Sequence, residues 1–272
     1  MIVEGDAEGQ AVLLLHSGGM SSRQWRKLIE LLTPQYRVIA PDFFGSGSNP
    51  PWPPRAPFDF LDDVAAVVKL IADVSAPVHV VGHSYGGLVA LTLARLHPSR
   101  VRSLALFDPV AFGVLYGAND EAGIADLARI ALFLTPDDPS FGGSEPWLEA
   151  FVDYWNGPGT WRAMPAASRG AFLAVGRKVF LEVDSLQRDR TAAEAYATLA
   201  RPTLLLVGER SPIAARRVAE ILLAALPSAL LHEVAGAGHM GPISHAAEVN
   251  TLIARHLAGA STIPGHARSA HP

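Results

Sequence analysis

Residues 79–94 read HVVGHSYGGLVALTLA, with Ser84 set between Gly82 and the pair Gly86 and Gly87. An apolar run of strand character precedes the serine, and an apolar run of helical character follows it. G-x-S-x-G in that setting presents a hydroxyl as a nucleophile, because the strained strand-to-helix turn pushes Oγ clear of the sheet. Gly82 and Gly86 fit this reading, since a side chain at either place would collide with neighbouring backbone. The helix that starts at the serine brings free N–H groups and a positive dipole end, both suited to a developing oxyanion. A serine hydroxyl also needs a base to take its proton. The chain offers ten histidines.

These residues must be held by a scaffold, and the pattern of apolar runs says which. Runs of strand length recur at 11–15, 36–40, 77–82, 101–107, 202–208 and 229–234. Most lack alternation, as strands buried on both faces do in a parallel sheet covered by helices. Between them lie amphipathic helices. Leu61, Val64, Ala65, Val68, Ile71 and Ala72 share one helical face, and the spacing recurs at Val218, Ile221, Leu222 and Ala225 and at Val249, Leu252, Ile253 and Leu257. Strand and helix in alternation predict an α/β fold with a doubly wound, mostly parallel sheet. The rhythm breaks between about 110 and 200. That stretch holds Trp147, Phe151, Tyr154, Trp155, Trp161 and Phe172 with the turn clusters TPDDPSFGGSEP and NGPGT, and reads as an inserted helical lid over 110–200. The core is then 1–109 with 201–260, and 261–272 reads as a mobile tail.

Composition narrows the function classes. The chain has 272 residues, 49% of them hydrophobic, enough for one sizeable core. A net charge of −4 speaks against a nucleic-acid-binding face. There is no cysteine, so disulfides and thiolate metal sites are excluded. His16, His79 and His83 have no carboxylate at ligand spacing, so no metal is expected. No apolar run is long enough to span a membrane and the N-terminus lacks a signal-peptide pattern, so the expectation is a cytoplasmic protein with no membrane partner.

Four blocks in order, VLLLHSGGMSSRQW (12–25), VIAPDFFGSGSN (38–49), VVGHSYGGLVA (80–90) and VAGAGHMGPISHAAEVN (234–250), resemble the α/β-hydrolases, over nearly all of the chain outside the lid. The resemblance makes Ser84 the nucleophile and His239, in GAGHMGP, the base. It takes the oxyanion hole from the backbone N–H groups of Tyr85 and of the HSGG loop, where Gly18 is the best candidate, and gives His16 an orienting role in that loop. It treats Asp42 as structural. The acid is where the sequence departs. The family's usual position after the strand 202–208 is Ser211, which cannot hold an imidazolium by charge. Asp108, at the end of the preceding strand and before Pro109, is the leading substitute, with extended backbone expected before proline. Glu209 is the other carboxylate in range.

The resemblance implies a serine hydrolase of the carboxylesterase kind, cleaving an ester with a hydrophobic acyl or aryl group through an acyl-enzyme on Ser84, with no cofactor and a small-molecule substrate as partner. Two other readings keep the same residues. One is a carbon–carbon bond hydrolase or a perhydrolase; the other is a ligand-binding protein on a hydrolase scaffold, kept open by the serine at 211. Phe43, Phe44 and Trp52 follow a strand end and are expected near the pocket together with some of the lid aromatics.

Overall fold

The computed structural model describes residues 1–53, 56–134 and 142–261, with the side chains of 130–134 left out. The segment 135–141 of the first lid turn cluster and 262–272 of the expected tail lie outside the described residues. Seven strands, β1 (Ile2–Glu4), β2 (Ala11–Leu15), β3 (Arg37–Ala40), β4 (Val78–His83), β5 (Val101–Phe107), β6 (Thr203–Gly208) and β7 (Ala229–Val234), form one sheet in the order β1-β3-β2-β4-β5-β6-β7. β1 runs antiparallel to β3 and every other pairing is parallel. The six runs of strand length are all strands. Every residue of β2, β4 and β6 is buried, which explains why they lack alternation. β7 is one edge, and there exposure alternates over the first four residues, reaching 69% at Leu230.

The helices are α1 (Arg26–Leu32), α2 (Phe60–Leu70), α3 (Tyr85–Leu96), α4 (Gly113–Gly117), α5 (Glu121–Leu134), α6 (Glu145–Asn156), α7 (Thr160–Ala163), α8 (Ala166–Arg188), α9 (Ile213–Ala225), α10 (Gly241–Ser244) and α11 (Ala246–Ser261). Alternate strand residues feed two layers. Leu13, Leu15, Val80, Leu104, Leu106 and Leu205 pack with α2, α3 and α9. Val12, Leu14, Val38, Val81, Phe107 and Leu206 pack with Leu28 and Leu32 of α1 and with Val249, Ile253 and Leu257 of α11. Ser261 closes α11, so it is helical and not part of a tail.

The buried face of α2 differs from the expected one. Leu61 is exposed, and Phe60, Asp63, Val64 and Val67 face inward. Two polar features set that rotation. Asp59 caps the helix in a reciprocal capping box with Asp62. Asp63 is drawn inward by Lys178, with its Nζ 3.0 Å from Oδ2. Helices α4 to α8 lie between β5 and β6 in sequence. α6, α7 and α8 enclose a small core of their own around Trp147, Trp161, Leu148 and Val179. Among the described residues no helix is long and apolar enough to cross a membrane.

Candidate active site

The site begins where β4 ends. Ser84 has φ 54° and ψ −117°, a backbone state that few non-glycine residues adopt and that costs on the order of 1–3 kcal/mol. Its surroundings over-determine it. The Ser84 N–H donates to the Phe107 carbonyl at 2.9 Å, and its carbonyl accepts from Gly87 N–H at 2.8 Å. A Cβ on Gly86 would stand 2.3 Å from the Leu15 carbonyl oxygen, and one on Gly82 would stand 2.5 Å from that of Gly86. Both collisions are with backbone, as the motif requires.

His239 follows β7 in a loop that returns over the strand ends. Its Nε2 is 2.9 Å from Ser84 Oγ and its Nδ1 is 2.9 Å from Asp108 Oδ2. All three side chains are buried. Nδ1–H donating to the carboxylate leaves Nε2 unprotonated toward the hydroxyl. The expected extended backbone at Asp108 is not found. Its φ is +44°, in the left-handed region. The N–H of Asp108 still bonds the Leu206 carbonyl, so the chain bends only after the β-ladder ends. Asp is among the few residues that tolerate this region, and two hydrogen bonds on Oδ2 offset the cost. The second of these comes from Ser211, whose Oγ donates at 2.5 Å. The serine at the position where the resemblance expects a carboxylate therefore hydrogen-bonds the carboxylate at the end of the neighbouring strand. Glu209 points elsewhere: it is exposed and accepts from the Gly236 N–H at 2.6 Å.

Three more histidine and loop features fix the geometry. His83 Nε2–H donates to the His239 carbonyl at 2.8 Å, and burial holds its pKa well below the usual histidine value. His16 Nδ1–H donates to the Ser17 carbonyl at 2.7 Å and its Nε2 accepts the Phe43 N–H at 3.1 Å. Burial lowers its pKa to about 4, so it is a fixed neutral strut for the HSGG loop. Asp42 accepts from Ser22 N–H at 2.8 Å and Ser48 Oγ at 3.2 Å, organising the turn after β3. The N–H groups of Gly18 and Tyr85 make no hydrogen bond among the described residues, and both residues line the cavity at Ser84.

Two cavities meet at this point. One is walled by Ser84, Tyr85, Val110, Phe112, Tyr154 and Glu182 among others. The other is walled by Met20, Asn156, Met164, Phe172, His239 and Met240 among others. Gly18, Phe151 and Trp155 belong to both. Trp155 stacks on the His239 imidazole, with ring centroids 3.9 Å apart and planes 25° apart. Phe43 packs instead on the His16 and Tyr85 rings, and Trp52 packs between Phe44 and Phe58, behind the cavities.

A buried charged cluster underlies the first cavity, and nothing in the sequence pattern pointed to it. Lys178 Nζ lies 3.0 Å from Asp63 Oδ2 and 2.7 Å from Glu182 Oε1. Tyr85 Oη donates to Asp63 Oδ2 at 2.7 Å. Burial pulls the Lys178 pKa down, but the two carboxylates outweigh it and hold it above the usual lysine value. Burial pushes Glu182 up. Among the described residues no group of three His, Cys, Asp or Glu side chains is placed to hold a metal ion.

The chain is similar to known proteins over most of its length. Residues 12–252 match the family model described as the alpha/beta hydrolase family. The chain is 29% identical over 258 residues to the dihydrolipoyllysine-residue acetyltransferase component of the acetoin cleaving system of Cupriavidus necator, covering 92% of this chain and 64% of that protein. It is also 29% identical over 259 residues to the pimeloyl-[acyl-carrier protein] methyl ester esterase of Chromobacterium violaceum, covering 94% of this chain and 98% of that protein. Among solved structures, a hydrolase from Pseudomonas aeruginosa PA01 superposes with a TM-score of 0.73 at 25% identity, covering 94% of this chain and 92% of that one.

Proposed function

The chain belongs to the alpha/beta hydrolase family, and from that premise we propose that it is a serine carboxylesterase. The observation that carries the reading is the continuous line from Ser84 Oγ through His239 to Asp108 Oδ2, each contact 2.9 Å, at the junction of two cavities. In this reading Ser84 attacks the acyl carbonyl as His239 takes its proton. Asp108 keeps the proton on Nδ1 in the resting enzyme and stabilises the imidazolium that forms. The N–H groups of Gly18 and Tyr85 receive the oxyanion. His239 then protonates the leaving alcohol, and water releases the acyl group by the same route.

The placement of the cavities supports a division of labour. The acyl group occupies the apolar cavity beside Ser84, and the alcohol leaves through the one beside His239. Helices α4 to α8 act as the lid, because α6 supplies the partition between the two in Phe151 and Trp155. One curated relative is itself a methyl ester esterase, which agrees with the reaction class. The test is labelling with a fluorophosphonate, read by intact mass. The expected result is a single adduct on the wild type and none on Ser84→Ala. No adduct on a folded wild type would turn the reading toward a ligand-binding protein.

A further inference from the structure

The acyl cavity is apolar over most of its wall, and three of its polar side chains are engaged. Ser84 holds His239, Tyr154 Oη donates to Asp126 at 2.9 Å, and Tyr85 Oη is held by Asp63. Two are not fully engaged, the half-buried Gln187 and the fully buried Glu182. Glu182 is the costly one. It is only 2% exposed, Oε1 accepts from Lys178, and Oε2 has no hydrogen-bond partner among the described residues. Oε2 also stands beside the HSGG loop, 2.7 Å from where a Cβ on Gly18 would be. A buried carboxylate oxygen without a protein partner is costly, and such groups in native proteins are completed by an ordered water or by a bound group.

The charges say what would complete it. Asp63 already receives Lys178 Nζ, Tyr85 Oη and the Phe44 N–H at 3.1 Å. Glu182 shares the same ammonium and receives nothing else. With both carboxylates ionised, one lysine leaves the cluster one negative charge in excess, and the excess falls on Oε2. That atom calls for a donor. Because it lies next to the loop assigned to the oxyanion, the donor must sit close to the reacting carbonyl.

We propose that Glu182 is a specificity-determining residue that selects acyl groups carrying a hydrogen-bond donor, a hydroxyl in the simplest case, on the α- or β-carbon beside the reacting carbonyl. This rests on the esterase reading for the orientation of the acyl chain. A site built around such a group discriminates strongly against the analogue that lacks it, because the buried oxygen is then left unpaired.

The experiment measures binding and turnover separately. Calorimetry on Ser84→Ala compares α- and β-hydroxyacyl methyl esters with the unsubstituted and the oxo esters of equal length. At least one hydroxy ester is expected to bind about tenfold or more tighter than its unsubstituted and oxo counterparts. Adding Glu182→Gln to the same background gives a sharper result. Lys178 offers only donors, so the new amide must turn its oxygen to the ammonium and its NH₂ to the cavity. The preference should then pass from the hydroxy ester to the oxo ester. Equal binding of all three ligands, no binding of any, or an oxo preference before Glu182 is changed would each overturn the proposal. Hydrolysis of the same esters by the wild type tests the esterase reading alone. A hydroxy preference in binding with no turnover would sink that reading and leave the assignment of Glu182 standing.

Discussion

Oδ2 of Asp108 receives two hydrogen bonds, one from the proposed base and one from Ser211, and this favours Asp108 over Glu209 as the proposed acid. Asp108→Asn leaves the shape intact but favours the wrong imidazole tautomer, and kcat on any ester the wild type cleaves should fall about 10³–10⁴-fold. Glu209→Gln only alters a cap on the Gly236 N–H and should change kcat less than about twofold. Comparable losses in the two variants, or none in either, would remove Asp108 from the triad. Ser84 and its glycines were readable in the sequence because the turn is local: every atom that makes the serine project lies within a few residues or in the next strand. The approach of Asp108 to His239 was readable because strand ends point at one side of such a sheet, but the left-handed backbone that makes it was not. The role of Ser211 was not, since it faces a residue 103 positions away. A serine where the family carries its acid looks like a missing part until the contact is seen.

At the scale of elements, the long apolar runs announced the strands because those strands are buried on both faces. The face of α2 was misread because hydrophobic periodicity ignores polar demand. Asp63 turns inward to meet Phe44, Tyr85 and Lys178, and Leu61 is left in water. The lid tryptophans looked alike in sequence and have different tasks. Trp147 and Trp161 fill the lid's own core, and Trp155, also on α6, lies flat on His239. Only the phase of α6 separates Trp147 from Trp155, and that phase is set by packing on α5, α7 and α8 together. Substitution should therefore divide their effects. Trp155→Leu removes the ring that stacks on the imidazole and shields it, and should lower kcat about 3–30-fold with a smaller loss of stability than Trp147→Leu. Trp147→Leu leaves a void in the lid core and should cost roughly 2–4 kcal/mol of stability, with a smaller effect on kcat in the protein that remains folded. Urea unfolding beside steady-state kinetics separates the two. Loss of stability alone in Trp155→Leu would mean that the stacking is only packing.

The whole molecule carries an acid sensitivity that its composition does not suggest. Burial lowers the pKa of His16 and His79 to about 4. It pushes His83 well below the usual value and also lowers His256. These residues are spread across the fold. His16 holds the HSGG loop, His83 holds the His239 carbonyl, and His79 ties β4 to Ser103 at 2.7 Å. The sign follows from proton uptake. In the unfolded chain each would titrate near about 6.5, above its folded value, so below that pH the unfolded state binds more protons. Their contribution to stability is whole above about pH 6.5 and is lost as pH falls toward 4. At about pH 5.5 each of the three most buried costs on the order of 1 kcal/mol, so their sum should lower the melting temperature by roughly 5 °C relative to pH 7.5. Glu182 works the other way, because a buried carboxyl whose pKa is raised takes up its proton more readily in the folded state. It is one group against several. Melting Ser84→Ala from pH 7.5 to about pH 5 isolates this effect from catalysis. His79→Gln, remote from Ser84, should flatten part of the slope. A melting temperature that stays level over that range would mean that these rings reach water or new partners when protonated, and that the loops around Ser84 are less rigid than their hydrogen bonds imply.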